Sequence, residues 1–271
     1  MSCNIFEIDV FSGGAFVGNP VAVIAGAEGA DTETMRRVAA WLNYSETTFL
    51  LPPTRQGADY RVRIFSPRGE YDFAGHPTLG SARAWLETGA APAREGTIVQ
   101  ECAAGLVPVR VRGETFSYAT PPLRRGEPLS EEEIAEICAA FALRRADIVA
   151  AAWGDNGPGW KMVQLRSIDT LRALPFPRGA EMKVGFVALT GAARCEVRAL
   201  FGSGEDPATG SLNGAIAQWL RARGLVPARY VAEQGRQVGR RGRIELVDDT
   251  TDVWVGGRVE VRVRGRIDLR P

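Results

Sequence analysis

The stretch 60-YRVRIFSPRGEYDFAGHPTLGSARAWL-86 decides the fold, because a second stretch, 195-CEVRALFGSGEDPATGSLNGAIAQWL-220, has the same order of features. Each begins with alternating apolar and polar residues, which predicts a half-buried strand. Each then passes through Gly-Glu and a Pro-containing turn that ends in Thr. Small residues and an amphipathic helix with one Trp follow in both. We therefore predict that one strand-turn-helix unit occurs twice in the chain.

A second pair of segments supports the duplication. The segment 107-VPVRVRG-113 resembles 259-VEVRVRG-265, and both alternate with the period of a strand. Between the copies, 120-TPPLRRGEP-128 has the Pro and Gly content of a linker. We predict an N-terminal half at 1–118 and a C-terminal half at 119–271, and leave open whether the last strand packs on the N-terminal half. The alternative is that strand-turn-helix units look alike by chance.

The composition of the segments indicates an α+β fold. The strands are rich in Val, Ile, Arg and Phe and the helices are few, which favours mainly antiparallel sheets packed on helices. One helix is expected near 31–42, with Asp31 or Thr32 as N-cap. Another is expected over 130–143, where Ser130 and Glu133 form the pattern of a capping box. Both helices are predicted to serve packing.

Charge and hydropathy limit the partners. The formal net charge is +1 and 45% of the residues are hydrophobic, so neither nucleic acid nor an acidic membrane is expected as a partner. Glu7 and Asp9 stand where a signal peptide would carry a basic and then an apolar run. The apolar stretch 20–27 is too short to span a bilayer. We expect a cytoplasmic protein.

Cysteine and histidine usage argues against a metal site. The four cysteines are widely spaced without a ligand pattern, and the chain has one histidine. No phosphate-binding glycine pattern and no Gly-x-Ser-x-Gly elbow is present either. We expect reduced, buried thiols and no metal.

The repeat suggests candidate site residues. The repeat matches His76 of the first turn with Asp206 of the second, with Glu205 as an alternative to Asp206. If the two turns face one cleft, they bring these side chains together beside helix starts made of small residues, at 79–81 and 210–212. Backbone N–H groups at such helix starts favour anions such as a carboxylate. Alternatively, His76 is structural and Asp206 only caps its helix. Glu46, between a helix and an apolar strand, is a candidate general base or a capping residue.

The motifs resemble those of a known family. The matching pieces occur in family order over essentially the whole chain: 18-GNPVAV-23, 43-NYSETTF-49, 73-FAGHPTLG-80, 204-GEDPATGS-211, 233-EQG-235 and 255-VGG-257. They resemble the PhzF-like phenazine-biosynthesis family, which has the diaminopimelate-epimerase-like fold. The resemblance implies two pseudo-symmetric halves, each a mainly antiparallel barrel-like sheet around a central helix, with the active site between them.

The resemblance also implies an activity. The family's name-giving reaction isomerises trans-2,3-dihydro-3-hydroxyanthranilate by moving a proton from C3 along the conjugated ring system, without a cofactor. The implied base is Glu46, with His76 and Asp206 contacting a small-molecule carboxylate substrate. Other residues are implied to line the pocket, namely Asn19, Ser45, Gly75, Gly210 and Ser211. The family is generally dimeric, so a homodimer is expected.

Two departures leave the substrate open. The late motif reads Val238-Gly239-Arg240-Arg241-Gly242, where a Met and a Pro-Ser are typical of the family, and Leu212 replaces a usual small residue. The two opposed cysteines of the related epimerases and racemases are absent from the corresponding turns, which disfavours a thiol-based mechanism. The leading hypothesis is an isomerase with a single glutamate base. The alternatives are a one-base racemase or epimerase of an amino or hydroxy acid, and a non-catalytic binding or scaffolding protein.

Overall fold

The computed structural model describes residues 1–176, 182–202 and 204–270, and these form two compact units. Unit 1 comprises Met1–Tyr118 with Gly256–Pro271, and unit 2 comprises Ala119–Val255. The elements up to the end of the first segment are β1 (Ser2–Val10), β2 (Asn19–Ala25), α1 (Thr32–Leu42), β3 (Thr47–Leu51), β4 (Tyr60–Ser66), β5 (Gly69–Tyr71), α2 (Gly75–Glu87), β6 (Thr97–Cys102), β7 (Gly105–Arg112) and β8 (Thr115–Ala119). The following elements are α3 (Glu131–Phe141), β9 (Ile148–Gly154), β10 (Trp160–Leu165), α4 (Ile168–Ala173), β11 (Val184–Gly191), β12 (Arg194–Phe201), β13 (Gly204–Asp206), α5 (Gly210–Ala222), β14 (Arg229–Gln234), β15 (Gly242–Asp248) and β16 (Val253–Asp268).

Unit 1 is a closed barrel around one helix. Its strands follow the order β1-β2-β3-β4-β6-β7-β8-β16, and β16 pairs back with β1. The pairs β2/β3 and β4/β6 are parallel, and β1/β2, β3/β4, β6/β7, β7/β8 and β1/β16 are antiparallel. Helix α2 contacts β1, β2, β3, β4 and β6 and is therefore the central helix. It was predicted to be amphipathic, but residues 75–82 are buried on every side because strands surround them.

Unit 2 repeats this connectivity. Its sheet follows the order β15-β14-β12-β11-β10-β9, and α5 contacts β9 and β15. The parallel pairs β10/β11 and β12/β14 correspond to β2/β3 and β4/β6 of unit 1, and the antiparallel pairs β11/β12 and β14/β15 correspond to β3/β4 and β6/β7. The hairpin β12/β13 that precedes α5 corresponds to β4/β5 before α2. The predicted α+β fold with two related halves is confirmed.

The prediction that segments 107–113 and 259–265 are equivalent parts of the repeat was wrong. Segment 107–113 covers the end of β7, whose counterpart in this pairing order is β15, whereas 259–265 lies in β16. Alternating Val and Arg is common in strands, so the likeness does not identify the same position of the repeat.

The two packing helices begin where their capping residues indicate. Asp31 is the N-cap of α1 and accepts a hydrogen bond from the Thr34 backbone N–H at 2.7 Å. Ser130 and Glu133 form the predicted capping box of α3. Helix α1 buries Met35 against the outside of the unit 1 sheet, and α3 packs its apolar face on unit 2 strands. Each capping interaction contributes about 0.5–2 kcal/mol.

Candidate active site

Three predicted residues of unit 1 meet at one edge of the barrel. Asn19 is the first residue of β2, Glu46 directly precedes β3, and His76 is the second residue of α2. Since β2 and β3 are parallel neighbours, both begin at the same edge. His76 Nε2 lies 3.4 Å from Glu46 Oε2, and His76 Nδ1 lies 3.4 Å from Asn19 Nδ2. The structure thus brings together the candidate base and the only imidazole.

Ser45 and Gly75 flank this group in the chain. Ser45 is exposed beside Glu46, and Gly75 is the first residue of α2. A side chain at position 75 would place its Cβ 2.0 Å from the hydroxyl of buried Tyr118, so packing alone requires glycine here. The N-cap of α2 is Ala74, which offers no side chain to the first N–H groups of the helix. Such a helix start suits an anionic ligand.

His76 is held in its neutral form. Burial lowers the pKa of the imidazole from 6.5 to about 3, and a hydrogen bond to the Pro20 backbone opposes this only in part. The ring is therefore uncharged at neutral pH, and its contact with Glu46 is not an ion pair. His76 Nε2 lies 3.4 Å from Glu46 Oε2, and an N–H of the ring donates to the Pro20 carbonyl, since proline has no backbone N–H. His76 can donate a hydrogen bond to a neighbouring oxygen but is too weak a base to take a proton from carbon.

The buried imidazole predicts a loss of stability in acid. The unfolded chain binds a proton at His76 below about pH 6.5, whereas the folded protein does so only near pH 3. Since the folded pKa is the lower one, His76 favours folding fully above pH 6.5, and this contribution falls by about 1.4 kcal/mol per pH unit as pH drops toward 3. Urea denaturation between pH 7 and 4 should show this slope, and His76→Gln should remove it.

A direct NMR measurement checks the same prediction. Because the chain has one histidine, its Hε1 signal can be followed in the tag-free protein without assignment of other rings. The signal should not move between pH 8 and 5. A midpoint near pH 6.5 in the folded protein would contradict the neutral, buried ring.

Three predicted residues of unit 2 form a second group. Asp206 is the last residue of β13, and Gly210 and Ser211 are the first two residues of α5. The Thr209 hydroxyl donates to Asp206 Oδ2 at 2.7 Å. Thr209, and not Asp206, is the N-cap of α5, and its side chain makes no capping hydrogen bond. The alternative in which Asp206 occupies the N-cap position of its helix was therefore wrong.

Two residues at the beginning of β10 and just before it hold the start of α5. The Trp160 indole N–H donates to Ser211 Oγ at 3.1 Å, and Asn156 Nδ2 donates to the Ser211 carbonyl at 2.9 Å. Sequence reasoning missed Asn156 and Trp160. The repeat could have revealed Asn156, because it precedes β10 and holds the second residue of α5, as Asn19 begins β2 and contacts the second residue of α2.

The structure also corrects the register of the repeat. His76 was matched with Asp206 because both lie near a Pro before a Thr. However, His76 and Ser211 are each the second residue of their helix, whereas Asp206 and Tyr71 each end the preceding short strand. His76 and Asp206 are therefore not equivalent positions, although each lies beside the start of the central helix of its own unit.

The structure shows what surrounds the residues that depart from the family pattern, Leu212 and the segment 238–242. Leu212 is fully buried against Gly185, whose Cβ would lie 2.1 Å from Leu212 Cδ1, so Leu212 fills the core of unit 2. Val238 ends a short 3-10 helix before Gly242. A side chain at Gly242 would place its Cβ 2.7 Å from Ala208 Cβ, so this segment packs on the turn between Asp206 and α5.

The cysteines are unpaired and mostly buried. Cys3, Cys102 and Cys195 lie in strands of the two sheets and Cys138 lies on α3, and all four are free thiols. Burial raises the pKa of Cys195 to about 12. Because proton abstraction by a thiol requires the thiolate, a chemistry based on Cys195 is disfavoured.

Within residues 1–176, 182–202 and 204–270, no three or more His, Cys, Asp or Glu side chains cluster so that they could hold a metal ion. In the same residues, no helix combines the length and the apolar character needed to cross a membrane.

Comparison with known proteins decides the family. Residues 8–266 match the family described as phenazine biosynthesis-like protein. The chain belongs to this family. It is 32% identical to antisense-enhancing sequence 1 of Schizosaccharomyces pombe, with 96% of this chain and 97% of that protein covered. It is 33% identical to trans-2,3-dihydro-3-hydroxyanthranilate isomerase of Pseudomonas aeruginosa, over 88% of this chain and 87% of that one.

A solved structure supports the fold of the family. The PhzF-family phenazine biosynthesis protein of Bacillus anthracis superposes with a TM-score of 0.83 at 21% identity, covering 98% of this chain and 99% of that one. The predicted PhzF-like family and its diaminopimelate-epimerase-like fold are confirmed. Relatives named as isomerases also confirm the predicted enzyme class.

Proposed function

We propose that this protein is a cofactor-independent isomerase that shifts a proton within a small carboxylated substrate, with Glu46 as the single base. The observation that carries the proposal is the contact between Glu46 and a buried imidazole that stays neutral at working pH. A positive ring there would bind the carboxylate as an ion pair and weaken it as a base. A neutral ring beside the carboxylate leaves its negative charge, and with it its basicity, in place.

The proposed reaction needs no other reactant. Glu46 takes a proton from a substrate C–H bond and becomes a carboxylic acid, while the electron pair of that bond enters the conjugated system of the substrate. The same carboxylic acid then returns the proton to another carbon, which restores the carboxylate. The side chain of Glu46 is 16% exposed and adjoins the fully buried strand β3, so little water competes for the proton.

The remaining residues bind and orient in this proposal. The start of α2, at Gly75, and the start of α5, at Gly210 and Ser211, have no side-chain cap, and each suits a carboxylate. Asn19 and Ser45 adjoin His76 and Glu46 and would hold polar substituents. Asp206 is proposed to accept a hydrogen bond from substrate. A homodimer and a cytoplasmic location remain parts of the proposal.

The substrate class rests on the relatives. The name of the Pseudomonas aeruginosa relative supports trans-2,3-dihydro-3-hydroxyanthranilate as the first compound to test. The purified protein should be incubated in D2O with this compound and with a panel of small amino and hydroxy acids, and C–H exchange followed by NMR. Exchange with migration of a double bond supports the isomerase.

Two other results would replace the proposal. Exchange confined to the α-carbon, with loss of optical rotation, would indicate a one-base racemase or epimerase. If no compound in the panel exchanges, a binding or scaffolding protein becomes the better interpretation.

A further inference from the structure

The carboxylate of Asp206 has a neighbour that could set its direction. Thr209 Oγ1 donates to Asp206 Oδ2 at 2.7 Å, a length typical of a hydrogen bond from a hydroxyl to a carboxylate. Thr209 itself is buried, so its hydroxyl does not exchange partners freely with solvent.

Gln234 decides which way that hydroxyl points. Its Nε2 group donates to Thr209 Oγ1 at 2.9 Å and to the backbone carbonyl of Asp206 at 2.8 Å. A hydroxyl carries a single hydrogen. Because the Thr209 oxygen accepts from Gln234, its hydrogen is left for Asp206.

The amide of Gln234 is in turn fixed. Its Oε1 accepts from the Thr209 backbone N–H at 3.1 Å and from Asn213 Nδ2 at 2.8 Å. Both amide hydrogens and the oxygen of Gln234 therefore have partners, and the side chain is only 2% exposed. A rotated amide would set its NH2 group against two donors and its oxygen against the Asp206 carbonyl, so one orientation is strongly preferred.

We infer that Gln234 and Thr209 are positioning residues that orient the Asp206 carboxylate. Gln234 Nε2 donates to the Thr209 hydroxyl, and this hydroxyl donates to Asp206 Oδ2. Gln234 also fixes the main chain of Asp206, so it holds this residue at two points. The inference rests on the proposed function in that it takes Asp206 to contact substrate.

Unit 1 also has a glutamine that holds the start of its central helix. Gln100, on β6, donates from Nε2 to Thr78 Oγ1 at 2.9 Å and accepts from the Tyr60 hydroxyl. Thr78 and Asn213 are each the fourth residue of their helix, so both glutamines hold the start of a central helix. Gln234 also bonds Asp206, which ends the preceding short strand, whereas the hydrogen bonds given above for Gln100 reach Thr78 and Tyr60. The link to Asp206 is thus an addition to a shared structural role.

The test compares Thr209→Val, which keeps the shape and removes the hydroxyl, with Thr209→Ser, which keeps the hydroxyl. Crystal structures of both variants and turnover of the compound that exchanges in D2O are measured. Thr209→Val should rotate the Asp206 carboxylate and lower kcat about 10- to 100-fold with little change in KM. Thr209→Ser should keep both the carboxylate position and kcat. Gln234→Glu, which replaces the two donors by an acceptor, should act like Thr209→Val.

The outcomes separate this inference from the proposed function. An unmoved Asp206 carboxylate in the Thr209→Val crystal would overturn the positioning role, whatever the activity. Wild-type kcat in Thr209→Val together with a strongly impaired Asp206→Asn would overturn it as well. If Asp206→Asn is fully active, the proposed role of Asp206 fails, while the crystal structures still decide whether Thr209 orients it.

Discussion

Replacing Glu46 with glutamine is expected to lower kcat/KM by about 10²- to 10⁴-fold, the range that a positioned general base contributes. Glutamine keeps the size and hydrogen-bonding reach of the side chain but cannot take a proton from carbon. The contact with His76 at 3.4 Å can persist through the amide oxygen, so the substitution removes the base and leaves the surroundings in place. The measurement is the rate of substrate C–H exchange in D2O together with steady-state turnover.

Glu33→Gln is the matched control for this substitution. Glu33 also lies near the start of an element, in the first turn of α1, but it is exposed and pairs with Arg36 on the surface. Its replacement should change neither exchange nor turnover. Exchange that survives in Glu46→Gln at the wild-type rate would show that another group is the base. Loss of exchange in both variants would show that the assay responds to charge or folding and not to Glu46.

A large loss of stability is expected when the buried ion pair between Arg198 and Glu205 in unit 2 is broken. Arg198 donates from Nε and Nη2 to the Glu205 carboxylate, with Nη2 at 2.7 Å from Oε2, and the two side chains are 1% and 0% exposed. Arg198 Nη1 also donates to the carbonyls of Leu171 and Leu174. Glu205→Gln leaves the guanidinium charge buried without a counter-charge, which should cost about 3–5 kcal/mol of unfolding free energy.

The repeat supplies the control within the same protein. Arg63 and Glu70 occupy the same places in the hairpin β4/β5 and pair at 2.7 Å, but their side chains are 25% and 37% exposed. Water stabilises either charge when the other is removed, so Glu70→Gln should cost no more than about 1 kcal/mol. Urea denaturation of both variants at constant pH measures the difference. Equal losses in the two variants would contradict burial as the cause.

The sequence predicted the duplication but not its register. The two motifs share a Pro near a Thr, and aligning these residues matched His76 with Asp206. In the structure, Pro77 is the third residue of α2, whereas Pro207 lies in the turn before α5. Proline suits the first turn of a helix, because N–H groups there have no acceptor within the helix, and its fixed φ also suits turns. The same residue type therefore marks two different positions, and local preference cannot distinguish them.

The sequence predicted some site residues and missed the role of others, because a local pattern encodes only neighbouring residues. Glu46, His76 and Asn19 could be named from their motifs, and the structure places His76 in contact with both of the others. Gln234 was only part of a matching motif. Its role depends on bonds to residues that lie 25 and 28 positions earlier in the chain, and no local pattern encodes them.

The sequence by itself determined the features that depend on neighbouring residues: the caps at Asp31 and Ser130, the alternation of the strands, and the small residues at the helix starts. Only the tertiary structure decided the chemical state of the site. His76 is neutral because strands and loops from distant parts of the chain exclude water from its ring. Burial depends on how remote segments pack together, so neither the charge of this histidine nor the hydrogen bonds of Gln234 can be read from local sequence.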